Sequence, residues 1–273
     1  MIHVHDLRKL YDDYLAVDGV SFSLRPGQIC GLVGPNGAGK TTTMRCLAGL
    51  IRATTGSIEI GGGYIGDSSS QRDSIALKRQ LAYVPDDPPL FDDLTVAQHL
   101  DFIGRIYGVS DHLAKSDALL SQFDLRHKRD AGATTLSRGM RQKLAVACAY
   151  LYDPSVLLLD EPLTGLDPPG IRTLLQSIRD RAASGATIII SSHLLAMIED
   201  VCTHLLVMQN GKAKYFGESN DLRSQFPEAA TLEAAYFAAT SDQSAGNLLP
   251  GQSVIDPLNQ LPTIPSSSPG VFS

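Results

Sequence analysis

Ile29-Cys30-Gly31-Leu32-Val33 runs directly into Gly34-Pro35-Asn36-Gly37-Ala38-Gly39-Lys40-Thr41-Thr42. The first five residues form a short apolar run of the kind that makes a buried strand, and the residues after Lys40 are compatible with helix. Between them the spacing is glycine, four residues, Gly-Lys and then threonine, the Walker A pattern. In that context the glycines let backbone amides turn inward onto phosphate oxygens, and the helix N-terminus adds its dipole. Lys40 is expected to neutralise β- and γ-phosphate charge, and Thr41 to ligate Mg²⁺. Gly34, Pro35, Asn36, Gly37, Ala38, Gly39, Lys40, Thr41 and Thr42 are therefore the expected nucleotide-binding residues. Without the strand and helix on either side, the same stretch would read as an ordinary glycine-rich turn.

Working outward, two further apolar runs, Val156 to Leu159 and Thr187 to Ile190, are each followed by a polar turn and then by helix-compatible sequence. Continuous apolar strands separated by helices indicate a parallel sheet covered on both faces. Tyr14 to Leu24 and Gly56 to Ile60 carry β-branched and aromatic residues on either side of the first helix and suggest a smaller antiparallel sheet. Between about residues 93 and 152 the periodicity becomes helical. Leu100, Ile103, Ile106 and Tyr107 fall on one face, Leu144, Val146, Ala147 and Leu151 follow later, and a helix from Met140 to Leu151 is expected. Residues 218–237 read as C-terminal helices, including Leu232 to Phe237. Residues 238–273, rich in proline and serine with few charges, read as a flexible tail.

The 273 residues are 43% hydrophobic and 19% charged, with formal net charge −6. This excludes a wholly unfolded chain. A sequence pI of about 5.6 supplies no general field for nucleic acid, and no nucleic-acid partner is expected. The longest uncharged stretch in the body, Ala182 to Ile198, is interrupted by serines, threonine, glycine and histidine and is too short to span a bilayer. The N-terminus has no basic segment followed by an apolar run. Cys30, Cys46, Cys148 and Cys202 lie far apart in apolar surroundings, reading as buried free thiols in a reducing compartment and not as a zinc site.

Val156 to Leu159 ends in Asp160-Glu161. At such a strand end Asp160 is the candidate to hold Mg²⁺. Glu161 then stands where a general base polarises the attacking water. Alone, the two acids would be a solvated turn after a buried strand; beside the phosphate loop they become a metal and proton-transfer pair.

With these residues in place the sequence resembles the ATP-binding cassette (ABC) ATPases that drive transporters. Leu136-Ser137-Arg138-Gly139-Met140-Arg141-Gln142 resembles that family's signature in the LSxGMxQ form of export-type subunits. Asp167 in Leu163-Thr164-Gly165-Leu166-Asp167 matches the D-loop, His193 after Ser191-Ser192 the switch histidine, and Tyr11 the aromatic that stacks on adenine. The resemblance covers roughly Met1 to Gly217. It implies an α/β fold with a P-loop ATPase core on a parallel sheet, an antiparallel β-subdomain and an inserted helical subdomain, the cassette occupying residues 1–237. It implies ATP and Mg²⁺ as ligands, ATP hydrolysis, and a site completed when Ser137 and Gly139 of one subunit meet the γ-phosphate on a second nucleotide-binding subunit. His193 would sense or stabilise that phosphate. Partners would be transmembrane permease subunits on separate chains, placing the protein at the cytoplasmic face of the membrane.

Taken singly, Ser137 is equally a serine N-cap, and His193 a histidine capping a strand end. The competing function is a soluble ABC-type ATPase acting on ribosomes, DNA or protein assembly without a membrane partner. One departure stands out: the family's Q-loop glutamine, expected after Leu81-Ala82-Tyr83-Val84-Pro85, is replaced by Asp86, a carboxylate able to approach Mg²⁺ but different in charge from an amide. The following Leu90 and Phe91 sit in a proline-stiffened acidic loop. They read either as apolar anchors for a membrane partner or as residues folded back into the helical lobe.

Overall fold

In the computed structural model, which describes residues 1–65, 71–225 and 234, the chain opens with an antiparallel hairpin. Its strands are β1 (Ile2–Tyr11) and β2 (Tyr14–Leu24), followed by β3 (Ile29–Val33) and, after the glycine-rich loop, helix α1 (Lys40–Leu47). The chain continues with β4 (Thr55–Ile60), β5 (Gly63–Tyr64), α2 (Gln71–Gln80) and β6 (Leu81–Val84). Next come the helices α3 (Val96–Tyr107), α4 (His112–Gln122) and α5 (Arg138–Leu151). It then alternates through β7 (Val156–Leu159), α6 (Pro168–Ala183) and β8 (Thr187–Ser192), and ends with β9 (His204–Gln209), β10 (Lys212–Glu218) and α7 (Ser219–Gln225).

Two sheets result. The larger has the order β10-β9-β3-β8-β7-β6, parallel throughout except for the antiparallel edge strand β10. The smaller, β2-β1-β4-β5, is antiparallel. The continuous apolar runs are explained by burial on both faces. Ile29, Val33, Leu157, Leu159, Ile188 and Ile190 enter one core with α3 to α6, while Cys30, Leu32, Val156, Leu158 and Ile189 enter the other with α1 and the antiparallel sheet. Alternate residues of each strand thus feed different cores, the consequence of a two-residue side-chain period.

The structure departs from the sequence expectations in several places. A central strand of the antiparallel sheet is β1, which the sequence pattern does not single out because its apolar positions are interrupted by His3, His5, Asp6 and Arg8; register shifts with both neighbours break its alternation. Strands β9 and β10 likewise lie outside those expectations. Helix α5 begins at Arg138, two residues before the expected Met140, because Ser137 caps it. Ile106 is exposed instead of sharing the buried face of Leu100, whereas Tyr107 stacks on Tyr152 at 3.7 Å between ring centroids. The cysteines are free, Cys30, Cys46 and Cys202 being buried and Cys148 half-buried. No helix of the described residues is long and apolar enough to cross a membrane. Most of Leu232 to Phe237, and all of residues 238–273, lie outside the described residues.

Candidate nucleotide site

The phosphate-loop candidates occupy the connection from β3 to α1, at the carboxyl end of the parallel strands, where open α/β sheets place ligands. Gly39 caps α1 with φ of 99°, and no side chain accepts from the first-turn amides, which therefore remain available to an anion. The loop has no room for larger residues. A Cβ on Gly34 would stand 2.3 Å from the Met208 carbonyl oxygen, and one on Gly39 would stand 2.5 Å from that of Ala16.

Lys40 is 7% exposed, and its Nζ donates to the carbonyl oxygens of Gly34 at 2.7 Å and Pro35 at 3.2 Å. Burial lowers its pKa from the usual 10.5, partly opposed by Glu161 and Asp160. Thr41 and Thr42 follow in the first turn of α1, both half-buried.

Asp160, 1% exposed, accepts from Ser191 Oγ at 2.6 Å and from Tyr83 OH at 3.2 Å. Burial pushes the Tyr83 phenol up to about 12, with the Asp160 charge acting in the same direction, so Tyr83 stays a donor. The next residue, Glu161, adopts φ of 47°, a left-handed conformation that side chains like glutamate rarely take. Its backbone amide donates to Ser191 Oγ at 2.8 Å, which fixes the turn. The carboxylate lies 3.8 Å from Lys40 Nζ and bonds His193 Nδ1 at 2.9 Å. Lys40, Asp160, Glu161 and His193, far apart in the chain, thus meet in one cluster. Ser191 and Tyr83 belong to it as well and are not singled out by the sequence; their only signal is a position at strand ends beside the chemical residues.

The signature and D-loop candidates form a second cluster. Ser137 caps α5, its Oγ accepting from the Met140 amide at 3.3 Å. A Cβ on Gly139 would stand 2.4 Å from the Gly165 carbonyl oxygen. Asp167 caps α6 through the Gly170 amide at 3.2 Å, with Lys143 Nζ 3.7 Å away. Among the described residues no hydrogen bond or ion pair joins Ser137, Gly139 or Asp167 to Lys40, Thr41, Asp160 or Glu161. Asp86, at the Q-loop position, accepts from Arg138 Nη2 at 2.8 Å and is joined to neither Thr41 nor Asp160. Tyr11 ends β1 opposite Tyr14 and is exposed, with Lys9 Nζ 4.8 Å from its ring centroid.

The cluster fits a Mg²⁺-bound nucleotide. It offers a buried cation, free helix-start amides, a buried carboxylate and, in the first turn of α1, a threonine hydroxyl. Mg²⁺ usually takes one or two protein oxygens and completes its shell with phosphate and water. The described residues hold no group of three or more His, Cys, Asp or Glu able to form a dedicated cage.

Comparison with known proteins places this geometry in a family. The ABC transporter profile matches residues 17–164. The ABC-type transporter ATP-binding protein EcsA of Bacillus subtilis (strain 168) is 34% identical over 247 residues, covering 89% of this chain and 98% of its own length. The Nod factor export ATP-binding protein I of Ralstonia nicotianae is 37% identical over 224 residues, covering 81% of this chain and 68% of its own length. A solved structure described as the ATP binding subunit of an ABC transporter superposes with a TM-score of 0.80 at 34% identity, covering 88% of this chain and 99% of that one. The chain therefore belongs to the ABC transporter family, as one of its ATP-binding ATPase cassettes.

Proposed function

We propose that this chain is the ATP-driven motor of a multi-subunit transporter of the export type, working as a pair of nucleotide-binding subunits on separate transmembrane permease chains at the cytoplasmic face. The observation that carries this reading is the division of the site. Lys40, Asp160, Glu161 and His193 converge, whereas Gly139 packs on the D-loop segment, Ser137 caps α5, and among the described residues neither is bonded to the phosphate loop. A chain that carries both halves apart needs a second copy or a homologous chain to bring them together. The LSRGMRQ form of the signature and the relative named for export support the direction of transport.

The residues then divide the work. Tyr11 stacks on the base, and Gly34 to Thr42 wrap the phosphates with backbone amides. Lys40 neutralises phosphate charge, while Thr41 and Asp160 are the residues that would hold Mg²⁺, which would supply further charge neutralisation to the phosphates when bound. Tyr83 and Ser191 orient the Asp160 carboxylate. Glu161, held by its strained turn and by His193, accepts the proton of the attacking water as the bond between Pγ and its bridging oxygen breaks, giving ADP and phosphate. His193 stands by the γ-phosphate, and Ser137 with Gly139 of the opposite subunit closes over it. Asp167 holds the start of α6 at the same interface.

Glu161→Gln tests the assignment. The amide keeps the shape and loses the base, so turnover should fall about 10²- to 10⁴-fold while ATP still binds. The variant should accumulate an ATP-dependent dimer in size-exclusion chromatography. Turnover at the wild-type rate would remove Glu161 from the proton-transfer role.

A further inference from the structure

Asp86, which stands at the Q-loop position where the family resemblance implies glutamine, has a defined partner. Arg138 Nη2 donates to Asp86 Oδ1 at 2.8 Å, with both side chains about half exposed. Arg138 is the first residue of α5, directly between Ser137 and Gly139. One turn on, Arg141 Nη2 donates to the Pro88 carbonyl oxygen at 3.3 Å and lies 3.9 Å from Asp87. The first turn of α5 is therefore fastened to the 86–88 loop at two successive arginines. That loop is anchored in turn to the metal side of the site: the Asp160 amide donates to the Val84 carbonyl oxygen at 2.8 Å, two residues before Asp86.

Two features show that this contact is not the outcome of helix propensity. Cations in the first turn of a helix oppose its dipole, and α5 carries Arg138 and Arg141 there with no acidic residue. A local rule broken at a functional site calls for a compensating role. The aliphatic stem of Arg138 also packs against Gly165 in the D-loop segment, where a Cβ would stand 3.2 Å from its Cγ and Cδ. Next to these contacts, Gln142 lies one turn beyond Arg138 on the same face of α5. It is 1% exposed, and neither Oε1 nor Nε2 has a hydrogen-bond partner. A buried primary amide without partners is unfavourable, so this end of α5 is not optimised for fold stability alone.

We propose that the Arg138–Asp86 ion pair, backed by Arg141 on Pro88 and Asp87, is a positioning clamp. It fixes where the Ser137–Gly139 turn stands relative to Asp160, so that turnover depends on the pair and not on either charge alone. In this chain Asp86 acts through Arg138, not on the metal. The inference rests on the reading that Ser137 and Gly139 complete the site of a second subunit. Arg138 and Arg141 are positioning residues: they set the reach of the turn and touch no reacting atom.

The test is a double-mutant cycle on the full-length protein, with kcat, KM for MgATP, Mg²⁺ dependence and Tm measured for wild type, Asp86→Ala, Arg138→Ala, the double variant and Arg138→Lys. Each alanine variant should lose about fivefold to tenfold in kcat, with KM little changed and the double variant no worse than either single, as expected of directly coupled residues. Arg138→Lys should retain most of the rate. Because a half-exposed pair adds little to fold stability, Tm should move by no more than about 2 °C. Single-variant losses that multiply in the double variant would overturn the clamp, as would a loss of rate matched by a large fall in Tm. A shifted Mg²⁺ requirement in Asp86→Ala alone would overturn it too, by putting Asp86 on the metal. If wild type is inactive and Glu161→Gln forms no ATP-dependent dimer, the two-subunit reading itself fails and takes the clamp with it. An active wild type with multiplicative variants removes the clamp alone.

Discussion

At the scale of single residues, the site is a set of side chains whose ordinary preferences are overridden by their neighbours. Lys40 is a buried cation held by two carbonyl oxygens and two nearby acids, and burial lowers its pKa. Bound phosphate favours the charged ammonium, so binding to neutral Lys40 takes up a proton, and affinity falls as pH rises through the lowered Lys40 value. The affinity of a non-hydrolysable ATP analogue should therefore begin to fall below pH 10.5, the usual lysine value, and approach a tenfold loss per unit above the lowered one. Calorimetric titration from neutral to alkaline pH checks this. A flat profile would show that Lys40 keeps its proton throughout, and Lys40→Met should bind weakly at every pH. Glu161 is the other override, since its left-handed backbone stores strain of about 1–3 kcal/mol that the Ser191 bond to its amide helps to hold. The Asp160-Glu161 dipeptide is legible in the sequence because its chemistry follows from residue type and position after an apolar run. Tyr83 and Ser191 are not, since neither type is diagnostic and their roles depend on which strands lie side by side.

At the scale of elements, the candidate residues gather at helix starts and at the loops packed against them. Helix α5 begins where Ser137 caps it, and Gly139 lets its first turn touch the D-loop segment backbone. A Cβ at that point meets a backbone carbonyl and not a movable side chain, so either α5 or the Leu163–Asp167 segment must shift. Gly139→Ala should therefore destabilise the fold by about 1–3 kcal/mol in urea unfolding and depress ATPase activity more than Ser137→Ala does. Stability and activity both at wild-type level would contradict the contact. The strand and helix pattern around the phosphate loop is readable from apolar runs of the right length. Strand β1 is not, because its alternation is broken by register shifts, and pairing with β2 and β4 is what makes it a strand.

At the scale of the whole molecule, no hydrogen bond or ion pair among the described residues joins the two clusters of candidate residues. Under the two-subunit reading, ATPase activity per mole of protein should rise with protein concentration until the pair saturates. Constant specific activity from a species that light scattering shows to be monomeric would sink that reading. The apolar loop after β6 divides as well. Leu90 is partly buried against the helical core, whereas Phe91 is 52% exposed and lies edge-on to the exposed Phe102 at 5.2 Å. Leu90 thus folds back into the helical lobe, while Phe91 is exposed and lies against His99 and Phe102 of α3. Under the proposed function the exposed Phe91 and Phe102 would face a membrane partner, so Phe91→Asp should weaken co-purification with the permease chains while leaving the ATP-dependent dimer of Glu161→Gln intact. Retention of the permease chains would remove Phe91 from docking.

The sequence by itself determined the chemistry and the order of its parts. The phosphate loop, the acid pair after an apolar strand and the signature each have a short, local pattern, because backbone turns and helix starts are built from consecutive residues. Only the tertiary structure decided the partnerships: His193 on Glu161, Ser191 and Tyr83 on Asp160, Gly139 against Gly165, and Asp86 on Arg138. Those contacts join residues far apart in the chain, up to 77 positions for Tyr83 and Asp160, across packed strands and helices. Burial and close approach at such separations have no local signature. The Q-loop departure shows the difference most clearly. The sequence revealed that an acid stands where an amide was expected, and the fold revealed what that acid holds.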